Sequence, residues 1–547
     1  MRSTRNSIRT HSKMKNKPSA ILNAAALIAA AVFILSSCGG KSAAVSNPTA
    51  ADLPTKLEKR EEMAIPMPSQ PPSLNPLEAK SKEMVFLFSL IFESPLRCDE
   101  KGQAEPGLAE NWSCDADGKE WTFNIRKGVT FQNGDELKAE DIVYTLDQLK
   151  KYKAGESTYA DYAKIISKYS ASDEYTLTVQ TSKPGGALPY AMMFPVLDKT
   201  YYGADPRKTK KDPMGTGPYT VEAYESDKGM SLRANENWWK KQPQIKRITA
   251  KCMPGNEEAL ASYDIGEFDM VYSPDITAGK YREAGKTQIT EVPTMNYECL
   301  IPNTASGELS DPQMRQAILY ALDRQELIRR AYLSHAVISD VPIPPHCYLY
   351  DGRYKVYEYE PVKALALLKG LGWSDNNSDG LLNNSTGSKL TLKLLYNDDI
   401  DNPARKEAAR TIVEQLGKIG ITVETDGQAW TKYVGKLNNR QFDLALGGYN
   451  IRTDMDLSSM LDSGGSLNLS RHKSDEMDSL LQQCMEASTA DARKAAYSDL
   501  QKRFADELPN IPLCFRSNIL VHSANLHLEG PTDMDVFKRV ERWIFYQ

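Results

Sequence analysis

The side chains that could do chemistry are scattered along this chain, and their spacings reject most reactions in turn. Six histidines, His11, His335, His346, His472, His522 and His527, never stand at metal-ligand spacing, and neither an H-E-x-x-H helix nor a G-x-S-x-G nucleophile elbow occurs. His335 and His346 lie in a Pro-rich loop, where a solvated or hydrogen-bonded histidine competes with a metal ligand. Gly285-Lys286-Thr287 has the closing residues of a phosphate loop, but Lys280 stands where that loop needs its first glycine. Asp454 and Asp456 form a carboxylate pair of the kind used in glycoside hydrolysis, although in a chain with 72 acids such pairs also arise as solvated turns. Asp375, Asn377 and Asp379, followed by Gly380, match positions 1, 3, 5 and 6 of a calcium loop; Thr386 at position 12 lacks the bidentate carboxylate, so calcium is a weak candidate beside an Asp/Asn-Gly turn. No catalytic constellation or cofactor site emerges.

The N-terminus carries a different chemistry. Arg2, Arg5, Arg9, Lys13, Lys15 and Lys17 precede an apolar run from Ala20 to Leu35, the n-region and h-region of an export signal. The run is too short for a membrane span, which needs about 20 residues. It ends in Leu35-Ser36-Ser37-Cys38-Gly39-Gly40, which resembles a bacterial lipobox, so residues 1–37 are expected to be removed and Cys38 to be lipidated. Acyl chains on Cys38 would then be the membrane attachment. Cleavage leaves 61 basic and 72 acidic residues, a net charge of −11.

Seven cysteines follow: Cys98, Cys114, Cys252, Cys299, Cys347, Cys484 and Cys514. Without a CxxC pair they make no zinc ribbon or thioredoxin-like site, and their odd number leaves at least one thiol unpaired within the chain. They read either as small core hydrophobes or as disulfide partners. The whole chain of 547 residues, 25% charged and 41% hydrophobic, fits about three globular domains and neither global disorder nor a multi-span membrane protein. A net charge of −5 argues against nucleic acid as a partner.

The elements that must position any site alternate between strand and helix, so the fold class is α/β. Residues 38–63 are small and polar and read as a flexible tether. Trp121 to Val129 alternates as a strand, and Ala139 to Leu149 has helical spacing after the turn at Asn133-Gly134. Tyr175 to Val179 and Leu390 to Leu395 read as strands. Asp311-Pro312 and Asn402-Pro403 each open a helix as N-cap and first residue; Gly420 ends the second, and a strand begins at Ile421. Two helices lie between Ser474 and Leu508, a buried strand at Ile511 to Phe515, and short strands and turns after it.

Pro106-Gly-Leu-Ala-Glu-Asn-Trp112, Trp121-Thr-Phe-Asn-Ile-Arg-Lys-Gly128 and Gly134-Asp-Glu-Leu-Lys-Ala-Glu-Asp141 carry a resemblance, which continues at Pro72 to Pro76, Gly215-Thr-Gly-Pro-Tyr219, Ala234-Asn-Glu-Asn-Trp-Trp239 and Tyr263 to Asp269. Asn303-Thr304, Arg315 to Arg324 and Phe442-Asp-Leu-Ala-Leu-Gly-Gly-Tyr449 extend it over nearly all the chain. The sequence resembles the family 5 extracellular solute-binding proteins, the oligopeptide- and dipeptide-binding components of bacterial ABC importers. That resemblance implies a two-lobed periplasmic-binding-protein-like fold (class II) whose lobes close on a ligand about a two-segment hinge. The first lobe would hold residues 64–291 plus 515–547, with an extra subdomain near 85–190, and the second lobe residues 296–510. It also implies a non-catalytic monomer, anchored through Cys38 to the outer face of the cytoplasmic membrane, that hands peptides to two permease subunits served by cytoplasmic ATPases.

Relatives pair the ligand main chain with a second-lobe strand and hold its amine with an acid. Here the strand would be Gly448, Tyr449 and Asn450, but Arg452 best matches the acid; a two-residue shift would put Asp454 there instead. Lys80 lies where relatives can carry an acid and Arg516 where they can carry a tyrosine, so an anionic ligand is the alternative to a plain peptide if these side chains face the cleft. Trp430 matches an aromatic wall, and Tyr159 or Tyr162 a tyrosine of the extra subdomain. The same importer role for a sugar, metal chelate or other anionic nutrient stays open, as does a peptide receptor that signals without feeding the cell. A secreted hydrolase is the rival from another class, and it lacks a nucleophile or metal constellation.

Overall fold

The computed structural model describes residues 58–547, apart from residues 70, 72, 210, 282–284, 306 and 400–402. The export signal, Cys38, most of the tether and Asn402 lie outside the described residues. The stretch expected as tether ends earlier than Met63, because Met63, Ile65 and Met67 alternate inward and the strand Glu62–Pro68 begins there.

Two large hydrophobic cores organise the chain, beside a smaller third one that includes Leu260, Phe268, Val271, Ile519 and Val521. One draws on residues from Met63 to Val292 and then from Leu520 to Phe545; the other is built from residues between Tyr297 and Phe515. Each fully buried Leu, Ile or Phe in them contributes about 1.5–3 kcal/mol. The fold is therefore two α/β lobes, with the second inserted into the first. In the first lobe a four-stranded sheet has the order Glu62–Pro68, Arg247–Met253, Gly229–Ala234, Tyr219–Glu225. The extra subdomain is a second four-stranded sheet, ordered Ala109–Cys114, Glu120–Ile125, Thr176–Thr181, Ile166–Asp173, with the helix Ala139–Leu149 against it. Trp121, Phe123, Leu177 and Val179 point inward at alternate positions and join the first-lobe core, so this subdomain has no separate core.

A seven-stranded sheet runs through both lobes. Its second-lobe part has the order Thr422–Gln428, Thr391–Asn397, Leu444–Asn450, Thr287–Pro302, Ile511–Ser523; the first two pairings are parallel and the others antiparallel. The helix Pro403–Gly417 connects the two parallel strands, and Gly420, at φ +84°, turns the chain out of it. The helix at Asp311-Pro312 forms as its cap predicts, with the Asp311 carboxylate accepting from the Gln313 N–H at 2.8 Å.

Two strands differ from the sequence reading, and both cross between the lobes. Ile511–Ser523 does not stop at Phe515 but continues through Arg516-Ser517-Asn518, a polar stretch that hides the strand signal where the chain leaves one core for the other. Its partner, Thr287–Pro302, pairs with it through two register irregularities, one at Glu298/Cys299 and a wide one between Pro293 and Tyr297. There the buried Thr294 hydroxyl donates to the Arg516 carbonyl at 2.7 Å and accepts from the Asn296 N–H at 3.1 Å, tying the crossings together.

Candidate functional site

A cavity of about 610 Å³ opens where the lobes face each other. Its walls come from the first lobe between Ala79 and Gly107, the extra subdomain around Tyr159, the C-terminal tail from Thr532 to Glu541, and the second lobe at Met295 and Asn450 to Thr453. Most charges on these walls are already paired. Glu93 accepts from the indole N–H groups of Trp239 at 2.8 Å and Trp238 at 3.3 Å and from the Thr216 hydroxyl at 3.2 Å, while its other oxygen meets Lys240 at 2.9 Å. The two motifs around Thr216 and Trp239 thus converge on one acid. Gly217 makes this approach possible, because a Cβ there would lie 2.5 Å from the Ile91 carbonyl carbon. Lys82 pairs with Asp533, Arg97 with Glu105 at 3.0 Å and Lys538 with Glu105 at 3.1 Å. Burial pushes the Asp535 carboxyl above the usual carboxylate range, against the lowering effect of the Ser89 hydroxyl at 2.8 Å and the Phe537 N–H at 3.0 Å.

The second-lobe wall is set by the strand Leu444–Asn450. Leu444, Ala445 and Leu446 are buried, after which the strand emerges at Gly448 and Asn450. Gly448 is required by a close approach, since a Cβ there would sit 2.6 Å from the Tyr297 carbonyl oxygen. Beyond the strand the chain turns, with the Met455 N–H bonded to the Arg452 carbonyl and Met455 at φ +60°. That turn brings Arg452 onto Asp454: Nε lies 3.0 Å and Nη2 2.6 Å from the carboxylate. The same guanidinium lies 4.2 Å above the Tyr162 ring, whose hydroxyl accepts the Thr453 N–H at 3.1 Å.

Of the residues singled out in the sequence, Lys80, Tyr159, Tyr162, Asn450 and Arg452 line this cavity. Burial and the nearby Asp535 push the Tyr159 hydroxyl up to about 12. Asp454 is 3% exposed and turned to Arg452, so the choice between the two resolves into a pair in which only the arginine meets the cavity. Arg516 is not on the cavity wall; it points to the buried Glu298 at 3.8 Å, which Arg405 also approaches at 3.3 Å. Tyr449 packs on the second core and gives its hydroxyl to the Leu467 carbonyl at 3.3 Å. Trp430 does not line the cavity either, because it opens the helix Trp430–Asn438 and stacks its largely exposed ring on Tyr433 at 5.7 Å.

With this geometry in view, residues 103–468 match the family model of bacterial extracellular solute-binding proteins, family 5 Middle. The chain belongs to this family. It is 26% identical over 560 residues to the oligopeptide-binding protein AppA of Bacillus subtilis, covering 97% of this chain and 99% of that one. It is 23% identical over 465 residues to heme-binding protein A of Haemophilus influenzae, covering 79% and 83% respectively. Among solved structures, the unliganded open form of the periplasmic murein tripeptide binding protein MppA shares the fold with a TM-score of 0.76 at 20% identity, over 90% of this chain and 98% of that one.

Other features of this family 5 chain have structural roles. In the weak calcium candidate, Asp375 accepts the N–H groups of Asp379 and Gly380 at 3.1 and 3.0 Å, Asn377 accepts the Asp379 N–H at 3.3 Å, and Asp379 pairs with Lys389 at 3.3 Å. The oxygens are spent on their own turn, and among the described residues no group of three or more His, Cys, Asp or Glu is placed to hold a metal. All seven described cysteines are unpaired, five of them buried. No described helix is long and apolar enough to cross a membrane. The tail from Thr532 to Glu541, which forms one cavity wall, escaped the sequence reading because nothing in its local pattern marks a surface that faces residues more than 400 positions away.

Proposed function

We propose that this protein is the substrate-binding component of an ABC importer, that it captures peptides in the interlobe cavity, and that it has no catalysis of its own. The observation that carries this reading is a cavity of ligand size between two lobes that are joined by two crossing strands, in a chain of this family. Its hinge would lie at Thr294–Asn296 and Arg516–Ser517, close to the expected bounds of a first lobe of residues 64–291 plus 515–547 and a second of 296–510, with Phe515 going to the second lobe in whose core it packs. Anchored through a lipidated Cys38 outside the cytoplasmic membrane, it would deliver ligand as a monomer to two permease subunits and their ATPases.

The experiment is thermal unfolding with a mixed peptide pool and with the same pool N-acetylated. Ligand at about 100 times its Kd adds roughly 2.7 kcal/mol of stability. Stabilisation by peptides supports the reading; no response to either pool moves it to the second one, import of an anionic nutrient, sugar or chelate. That second reading has support in the basic Lys80 and Arg452 on the cavity walls. Fatty-acid labelling that disappears in Cys38→Ala tests the anchor.

A further inference from the structure

Around the cavity, the cations divide into those already neutralised and those still offering donors. Lys82, Arg97, Lys240, Lys538 and Arg539 each hold an acid of the same lobe. Lys80 does not: it is exposed on the cavity wall and makes no ion pair or hydrogen bond among the described residues. On the second lobe, Arg452 spends Nε and Nη2 on Asp454 and one ring-facing surface on Tyr162, which fixes its plane. Its Nη1 has no acceptor among the described residues, and the side chain is 39% exposed. The carboxylate behind it is 4% exposed at the side chain, so a ligand reaching this wall meets N–H donors and no acceptor from Asp454.

We infer that the cavity selects ligands through a carboxylate, with Lys80 of the first lobe and the free Nη1 edge of Arg452 of the second as its donors and Asp454 as the residue that positions the guanidinium. The inference rests on the cavity being the ligand site and deepens that reading: at the Arg452 wall Asp454 is turned away from a terminal ammonium and Asp161 already holds Lys164 at 2.5 Å, whereas a C-terminal or side-chain carboxylate meets a free donor edge. Recognition from both lobes also makes the anionic group part of what holds them together.

The test uses the purified full-length protein and one tetrapeptide pool in free, N-acetylated and C-amidated forms, with apparent affinities read by thermal shift. C-amidation is expected to weaken binding about tenfold or more, the scale of a charge-assisted hydrogen bond, and N-acetylation by less than about twofold. Lys80→Gln and Arg452→Gln should each shrink the free-versus-amidated difference, and Arg452→Lys should keep part of it. Lys80 is exposed, so its variant tests the idea even if Arg452→Gln folds poorly. Loss of affinity on N-acetylation in place of amidation, or an amidation penalty intact in Lys80→Gln, overturns the inference. Binding of no peptide form fails the peptide reading separately; succinate, citrate and Fe(III)-citrate are then titrated. Binding of these that weakens in Lys80→Gln upholds carboxylate selection, and no binding, or binding unchanged in that variant, overturns it.

Discussion

Asp340 is fully buried beside Arg324, with 2.6 Å between them, and it also accepts the Tyr357 N–H at 3.0 Å. Neutralising it leaves a guanidinium buried without a counter-charge, so Asp340→Asn should lower stability by about 3–5 kcal/mol in a denaturant titration. Gly448→Ala forces a methyl group against the Tyr297 carbonyl and should cost about 1–3 kcal/mol, measured the same way. His522 supplies a pH dependence. Burial holds its imidazole below the ordinary 6.5, against the raising effect of the Ser523 carbonyl, and the positive field of His527 lowers it further. The folded state therefore binds fewer protons than the unfolded state below that value, so stability is present above about pH 6.5 and falls as the pH drops. Thermal melts from pH 8 to 5 should show that fall, and His522→Gln should reduce it. At this scale the sequence named Arg452 and Asp454 as rivals for one role. Only the turn at Met455, set by a backbone hydrogen bond, shows that they form one unit; residue types alone carry no sign of it.

Helices with a cap and an apolar period were legible to within a few residues: Ala139–Leu149 and Pro312–Tyr320 form where the pattern puts them. The crossing strands were not, since periodicity reports burial in one core and these strands pass between two. Thr294 is the place to test that segment. With valine there, the Arg516 carbonyl and the Asn296 N–H lose the buried hydroxyl that partners them, at a cost of about 1–3 kcal/mol. Equilibrium unfolding of Thr294→Val should record that loss, and an unchanged midpoint would show that the crossing takes its geometry from the flanking ladders. His335 sits beside it, its Nδ1 2.5 Å from Glu291 and its carbonyl accepting the Ser517 N–H, so both strands are also tied to one loop of the second lobe.

Across the whole molecule the lobes touch at more than the two strands. The Gly186 N–H donates to the Met485 carbonyl, and the Tyr348 N–H to the Lys101 carbonyl, both at 2.9 Å. The hydroxyls of Tyr190 and Tyr348 meet at 3.1 Å, while Arg493 donates to Tyr348 at 3.2 Å and lies 5.5 Å over the Tyr190 ring. Together with Tyr162 and Thr453, these contacts favour lobes drawn together. Removing the Tyr162 hydroxyl should weaken that state by about 1 kcal/mol and lower apparent ligand affinity about fivefold. Small-angle scattering of ligand-free Tyr162→Phe should give a larger radius of gyration than the parent, and an equal radius would rule out a role in closure. The insertion of one lobe into the other also imposes an order of events on a chain that emerges from its N-terminus. The second core is complete once Phe515 has appeared, whereas the first waits for Leu520, Phe537, Val540 and Trp543, in the last 28 residues. A chain cut short before Leu520 would present one finished half and one whose apolar interior stays open to proteases, so quality control could reject it from its first lobe alone.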